Sequence, residues 1–585
     1  MMPLFAVPLA VTWPQPKRAH TGSIMTKIPV LFLLTVIGML VMGCNSAFQQ
    51  SDYLHLGEKY DVVIERDHLG VPHIMGQQDA DTAFGFAYAQ AEDNWSLIMD
   101  AVIFYRGTAA RHKGSEAAVT DFLVKWLGIW DTLDDGYATQ LSEHTRHYVE
   151  AYADGLNYYA ALHPKQLMRG VFPVTGKDIV AGYMLRHLLF YGFDSVMREL
   201  TSPERQRTIS EAGGVVIDAL PVGSNAFAVA PVYSTDGATR IAINSHQPTT
   251  GPVAWYEAHI QSKEGLNIMG GLFPGSPTIG VGFTDNLAWA ATVNKPDLVD
   301  IYVLDINPDD PMQYRLDGQW QALEQRDIDI EVQVLGFIPW TVTREGLRSQ
   351  HGPVMRTEHG TYAVRYAGHG EMRQVEQWLA MNKAGDFDQW RDAMRQHRFA
   401  SFNFVYADKA GNTMFVHNSL TPLRIPGFDW SKYIPGDDSR LIWQTYMPFD
   451  KLPQVTNPTS GYIHSANQTP FNVTGEMDNP ERENYRPEHG FPTRMTNRAH
   501  RGLALFEQLG PISESEFSLI KHDKVYAANS RAGKFIQSAI DLHLDTGTPN
   551  KYSRAQQLLR EWNLSTSIDN RQAALGACLI GAEWL

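Results

Sequence analysis

The residues best placed to do chemistry lie in Gly223-Ser224-Asn225-Ala226-Phe227-Ala228-Val229-Ala230-Pro231, a small-residue turn that runs into an alternating strand. Asn225, Phe227 and Val229 fall on one face, with Ala226, Ala228 and Ala230 on the other. Pro231 has no N–H and ends the pairing. A serine that opens a buried strand has a specific use. If the Gly223–Ser224 bond is cut, Ser224 gains a free α-amine beside its own hydroxyl. Such an amine titrates at about 7.7–8.0, where a general base is most effective. One residue would then supply both nucleophile and base. Gly-Ser-Asn also describes an ordinary turn, and this stretch alone does not separate the two readings.

The elements around it change character at this point. Before it, Val62–Ile64 and the segment to Ile74 read as two short strands, and Asp79–Arg106 has helical spacing, with Ala83, Phe84, Ala87, Tyr88 and Ala91 on one face. Asp131–Leu200 is mostly helical and ends near the apolar run Leu188-Leu189-Phe190-Tyr191-Gly192-Phe193. Thr201–Val222 is polar, contains Gly213-Gly214, and reads as a linker or removable spacer. After it come short apolar runs separated by Gly, Pro and Asp, with hairpin signals at Asp317-Gly318 and Asp408–Asn412. Helices return at Arg498–Leu509, Glu514–His522 and Ser553–Trp562.

Composition narrows the class. The chain has 585 residues, 44% hydrophobic and 19% charged, enough for a large core. A net charge of −15 without a basic stripe argues against nucleic acid. Lys27 followed by the uncharged run Ile28–Met42 and then Gly43-Cys44 is a signal-type leader. It resembles a bacterial lipoprotein signal, in which Cys44 becomes the lipidated first residue and the sole membrane contact. An uncleaved anchor or an ordinary export signal is the alternative, and Met25 is a possible true start. Cys578 is the only other cysteine, so with Cys44 acylated the fold needs no internal disulfide.

Five ordered signatures extend the reading. They are Arg66-Asp67-His68-Leu69-Gly70-Val71-Pro72-His73-Ile74, Phe84–Asp93, Gly223-Ser224-Asn225, the pair Phe273–Pro277 and Gly282–Trp289, and Asn457–Ile463 with Asn467. Together they resemble the penicillin acylase family of N-terminal-nucleophile amidohydrolases. The resemblance implies an α+β fold, an αββα sandwich of two antiparallel sheets between helical layers. It implies a proenzyme that cuts itself between Gly223 and Ser224. The parts would be a leader (1–44), an α chain (45–200), a spacer (201–223) and a β chain (224–585), the α and β chains remaining together as a heterodimer. The substrate would be an acylated amine: an acyl-homoserine lactone, a β-lactam side chain or a related amide.

Roles follow from the same resemblance. Ser224 Oγ attacks the amide carbonyl, and the Val293 backbone N–H and the Asn467 side-chain amide receive the oxyanion. Arg498 holds the site in place, or is a salt-bridged helix-end arginine. Gln247 stands where relatives often carry a histidine, and His246, displaced by one, should face the other side of its strand. Phe193 is implied as a pocket aromatic against the acyl group. A structural Ca²⁺ is implied on Asp297, the Val299 carbonyl, Asp300, Asp478 and Glu199, an all-oxygen set that suits calcium. Arg560-Glu561-Trp562-Asn563 resembles an internal family segment, so the β chain reads as shortened. That leaves a second functional class, a non-catalytic envelope lipoprotein that kept the fold.

Overall fold

The computed structural model describes residues 50–188, 190–209, 223–334, 338–542 and 551–581. The leader, with Cys44, and most of the spacer lie outside these residues. No helix among the described residues is long and apolar enough to cross a membrane.

The largest sheet has nine strands, in the order β1 (Val62–Arg66), β2 (Pro72–Gly76), β5 (Tyr256–Ser262), β6 (Asn267–Leu272), β7 (Val281–Phe283), β8 (Leu287–Thr292), β16 (Asn403–Asp408), β17 (Thr413–His417) and β19 (Gln454–Thr456). A three-stranded sheet faces it: β20 (Tyr462–Ser465), β3 (Gly223–Val229) and β4 (Arg240–His246). The alternation along β3 explains how the two meet. Ala226 and Ala228 pack with Ala290, Val405, Phe415 and Ile463 between the sheets. Phe227 and Val229 pack on the opposite face with Leu503, Phe506 and Ile520, which come from two helices, Asn497–Leu509 and Glu514–Lys521.

The outer face of the nine-stranded sheet carries the other helical layer. We number the helices used here α1 (Asp79–Tyr105), α2 (Glu143–Leu162), α3 (Gly176–Leu188), α4 (Gln374–Asn382), α5 (Phe387–Arg395), α6 (Asn497–Leu509) and α7 (Glu514–Lys521). α1 and α2 pack so closely that a side chain at Gly155 would lie 2.3 Å from the Phe84 carbonyl. Trp378 of α4 and Trp390 of α5 cover Phe404 and Tyr406 of β16. The layers therefore run helix, sheet, sheet, helix, as the resemblance implied.

Two features depart from a sandwich of two antiparallel sheets. β2 pairs with β5 in parallel, His73 opposite His259, because the long helical stretch between them makes a crossover and no hairpin can join them. A further six-stranded sheet is built from β9 (Val299–Val303), β12 (Glu324–Val334), β13 (Ile338–Ser349), β14 (Gly352–Thr357), β15 (Gly360–Tyr366) and β18 (Ile434–Pro435). Beside it β10 (Gln313–Leu316) and β11 (Gln319–Ala322) form the hairpin turned by Asp317-Gly318. The first part of the expected spacer is docked on the six-stranded sheet. Arg205 donates to the Tyr362 hydroxyl at 2.9 Å, Arg207 pairs with Glu199 at 2.7 Å, and Ile209 bridges to Tyr433.

Candidate active site

Ser224 is the second residue of β3 and is 2% exposed. Its side chain shares the inter-sheet face with Ala226 and opens on a cavity at one end of the two sheets. The cavity has about 720 Å³ of open volume including its mouth, and its wall includes Phe190, Trp255, Phe273, Trp378 and Phe402. The aromatic lining suits an apolar group of a small organic ligand. Ser224 Oγ donates to the Gly223 carbonyl oxygen at 2.7 Å, so the hydroxyl is held against the peptide group it would have to attack.

The remaining polar partners come from far along the chain. Ser224 N–H donates to Asn467 Oδ1 at 2.6 Å, and Asn467 Nδ2 donates to the Val293 carbonyl at 2.6 Å. Asn467 has a φ of 65°, a left-handed conformation that asparagine tolerates better than most residues. Arg498, in the first turn of α6, donates through Nη1 to the Ser224 carbonyl (2.7 Å) and to Asn225 Oδ1 (2.5 Å), and through Nη2 to Asn467 Oδ1 (2.9 Å). Four separated stretches of chain thus meet around the Gly223–Ser224 peptide bond. A side chain at Gly223 would crowd this network. A Cβ would come within 2.9 Å of Arg498 Nη2, 3.1 Å of His246 Nδ1 and 3.2 Å of Asn467 Oδ1.

Val293 lies one residue beyond β8, is buried, and lines the cavity. Gln247, just past β4, also lines it, and its buried Oε1 has no hydrogen-bond partner among the described residues. His246 stands opposite Gly223 across the β3–β4 pairing, on the face away from Ser224, as its one-residue displacement predicted.

Two expectations need correction. Phe193 does not line the cavity. It begins a short helix and packs edge-on against Tyr366, with ring centroids 5.2 Å apart. Phe190, three residues earlier, takes that place, against Phe273 and Phe402. The turn at Gly192 separates the two phenylalanines, and an ungapped match cannot register it.

The calcium ligands are not gathered either. No three of Glu199, Asp297, Asp300 and Asp478 bring carboxylate oxygens within 4.8 Å of one another. Asp297 and Asp300 are instead bound by the buried Arg424, at 3.3 and 2.9 Å, and Trp443 Nε1 donates to Asp300 at 2.6 Å. Asp478 accepts from Thr459 and Ser460, Glu199 pairs with Arg207, and Val299 is in β9 opposite Tyr366. A guanidinium already compensates the two carboxylates that the metal reading placed at its centre. The carboxylate–imidazole group that does converge among the described residues, Asp79 with His144 and Glu264, already contains the Lys383 ammonium.

Sequence reasoning also missed the cavity residues Arg186, His187, Trp255 and Phe402. The apolar run after Leu188 was the one signal that pointed near them.

The chain is similar to several known proteins. Acyl-homoserine lactone acylase PvdQ of Pseudomonas fluorescens (strain Pf0-1) is 28% identical over 393 residues, covering 61% of this chain and 50% of that protein. Aculeacin-A acylase of Actinoplanes utahensis is 25% identical over 406 residues, covering 63% of this chain and 51% of its own. The chain spans about half the length of the curated relatives it matches. A thermostable penicillin G acylase structure from Alcaligenes faecalis aligns with a TM-score of 0.47 and 25% identity over 59% of this chain and 60% of that one. The family model described as penicillin amidase matches residues 61–582, and the chain belongs to that family.

Proposed function

We propose that this chain is a self-processing amidohydrolase that cleaves N-acylated small molecules through an acyl-enzyme on Ser224. The observation that carries the reading is the knot at Ser224. A buried hydroxyl lies against the preceding carbonyl, Asn467 and Arg498 fix the peptide on either side, and the same hydroxyl opens on an aromatic cavity. After cleavage at Gly223 the new α-amine takes the Oγ proton as the hydroxyl attacks a substrate amide. Val293 N–H and the second Asn467 amide hydrogen are the donors for the oxyanion. Acyl-homoserine lactones and β-lactam side chains are candidate substrates, since a relative is named as an acyl-homoserine lactone acylase and the family model as penicillin amidase.

We read the enzyme as exported and anchored through Cys44; the support is the leader sequence alone. The α and β chains would stay joined as a heterodimer.

The test is intact mass analysis of the purified protein with a chromogenic acyl anilide assay. Two chains divided at Ser224, with amine release that Ser224→Ala abolishes, are expected. A single uncut chain without turnover would replace this reading with the non-catalytic lipoprotein.

A further inference from the structure

The cavity is not uniformly apolar, and its polar groups fall into two kinds. Some are already spent. The Tyr183 hydroxyl is shared between Ser276 Oγ at 2.7 Å and Thr278 Oγ1 at 2.6 Å, and Arg186 Nη2 donates to the Pro274 carbonyl at 2.6 Å. His187 is of the other kind. Its ring forms part of the wall at the end of α3, 7% exposed, tilted on Phe399 and edge-on to Phe402, both at 5.7 Å. Nδ1 is buried and has no hydrogen-bond partner among the described residues, and neither does Nε of the adjacent Arg186. Burial pushes the His187 pKa down to about 4, so near neutral pH the ring is uncharged. It then offers one N–H and one acceptor nitrogen.

Buried polar groups without partners are rare in native proteins and call for an explanation. An unsubstituted acyl chain that filled the cavity would bring the imidazole no hydrogen-bond partner. An acyl chain with an oxygen on it would pair the ring. A site whose buried polar groups wait for a substrate oxygen discriminates against the analogue that lacks it, because those groups are then left unpaired.

We propose that His187 makes the cavity selective for acyl groups that carry a hydrogen-bonding oxygen, hydroxyl or keto, over unsubstituted chains of the same length. This rests on the amidohydrolase reading above. His187 does not touch the reacting atoms; it sets which acyl group the cavity accepts.

The experiment compares kcat/KM for two series of acyl anilides, one unsubstituted and one with hydroxyl or keto groups along the chain, in the wild type, His187→Phe and His187→Gln. The wild type is expected to favour the best oxygen-bearing substrate by about tenfold. His187→Phe should lose that preference while still hydrolysing unsubstituted chains, and His187→Gln, which keeps a hydrogen-bonding group, should retain part of it. Thermal-shift titration of wild type and His187→Phe with the free hydroxy and unsubstituted acids reads the same preference without turnover. An oxygen preference in the titration that is present in the wild type and lost in the variant supports the proposal even if a variant processes poorly. A preference unchanged by His187→Phe in both measurements, or absent from the wild type, overturns this inference and leaves the amidohydrolase reading intact. Absence of any turnover from wild-type protein brings down the reading itself, and with it this proposal.

Discussion

Arg498 and Asn467 meet at a single atom: the guanidinium donates to Asn467 Oδ1, the same oxygen that accepts the Ser224 N–H. The Ser224 carbonyl is held by the other guanidinium nitrogen. Both peptide groups flanking Ser224 are therefore oriented by one short network, and on the proposed mechanism damage to either partner should reach both self-cleavage and turnover.

Asn467→Ala removes the acceptor of the Ser224 N–H and, with it, one of the two donors proposed for the oxyanion. Loss of one such donor costs about 10²–10³ in kcat. We expect a fall of that size in steady-state turnover and slower appearance of two chains on denaturing gels. Near-normal turnover would take Asn467 out of the site.

Gly223→Ala tests the space around the Gly223–Ser224 bond. The new Cβ would press on Arg498, His246 and Asn467 at 2.9–3.2 Å. Misplacement of reacting groups by about 1 Å can cost 10²-fold. The uncut chain should accumulate while the unfolding midpoint moves little. Processing at the wild-type rate would show that the network gives way freely.

Arg424→Ala should be among the most destabilising single substitutions. It strips the counter-charge from Asp300, whose side chain is fully buried. Removing one partner of a buried ion pair costs about 3–5 kcal/mol, readable in urea unfolding. The double variant Arg424→Met with Asp300→Leu should recover much of the loss, because no charge is then left buried alone.

Acid should weaken the fold through its buried histidines. His417 and His464 are held down to about 3 by burial, His464 also by Arg498, and His187 to about 4. An unfolded histidine titrates near about 6.5. Below that pH the unfolded chain binds protons that the folded chain refuses. Stability is then complete above about pH 6.5 and falls as the pH drops toward 4, by about 1.4 kcal/mol per pH unit for each such ring. Urea midpoints at pH 7 and pH 5 measure this, and His417→Asn should flatten the slope.

How much of this was legible in the sequence varies by residue. The β3 alternation could be read directly, because its two faces really do go to different layers. The partnership of Ser224 with Asn467 spans 243 positions, and only the family resemblance brought them together. Arg424 was invisible: nothing in Leu423-Arg424-Ile425-Pro426 shows that its side chain runs between two aspartates. Phe193 was misplaced by a turn that spacing cannot count. The strand β12 was legible but overlooked, since Ile328, Ile330 and Val332 are buried at strict period two.

The parallel pairing of β2 with β5 spans the Gly223–Ser224 bond in sequence, and the main core mixes Ile74 and Phe86 from before Ser224 with Ile260 and Trp289 from after it. Cleavage at Gly223 would leave these contacts as they are, so the cut molecule should unfold at nearly the denaturant concentration of the uncut one. Its return is another matter. The uncut chain refolds as one body at any dilution, whereas the two pieces must first find each other, so their recovery should fall as protein concentration falls. Self-cleavage would thus change the molecularity of folding while leaving its contacts alone, and the assembled enzyme would persist because it is slow to come apart.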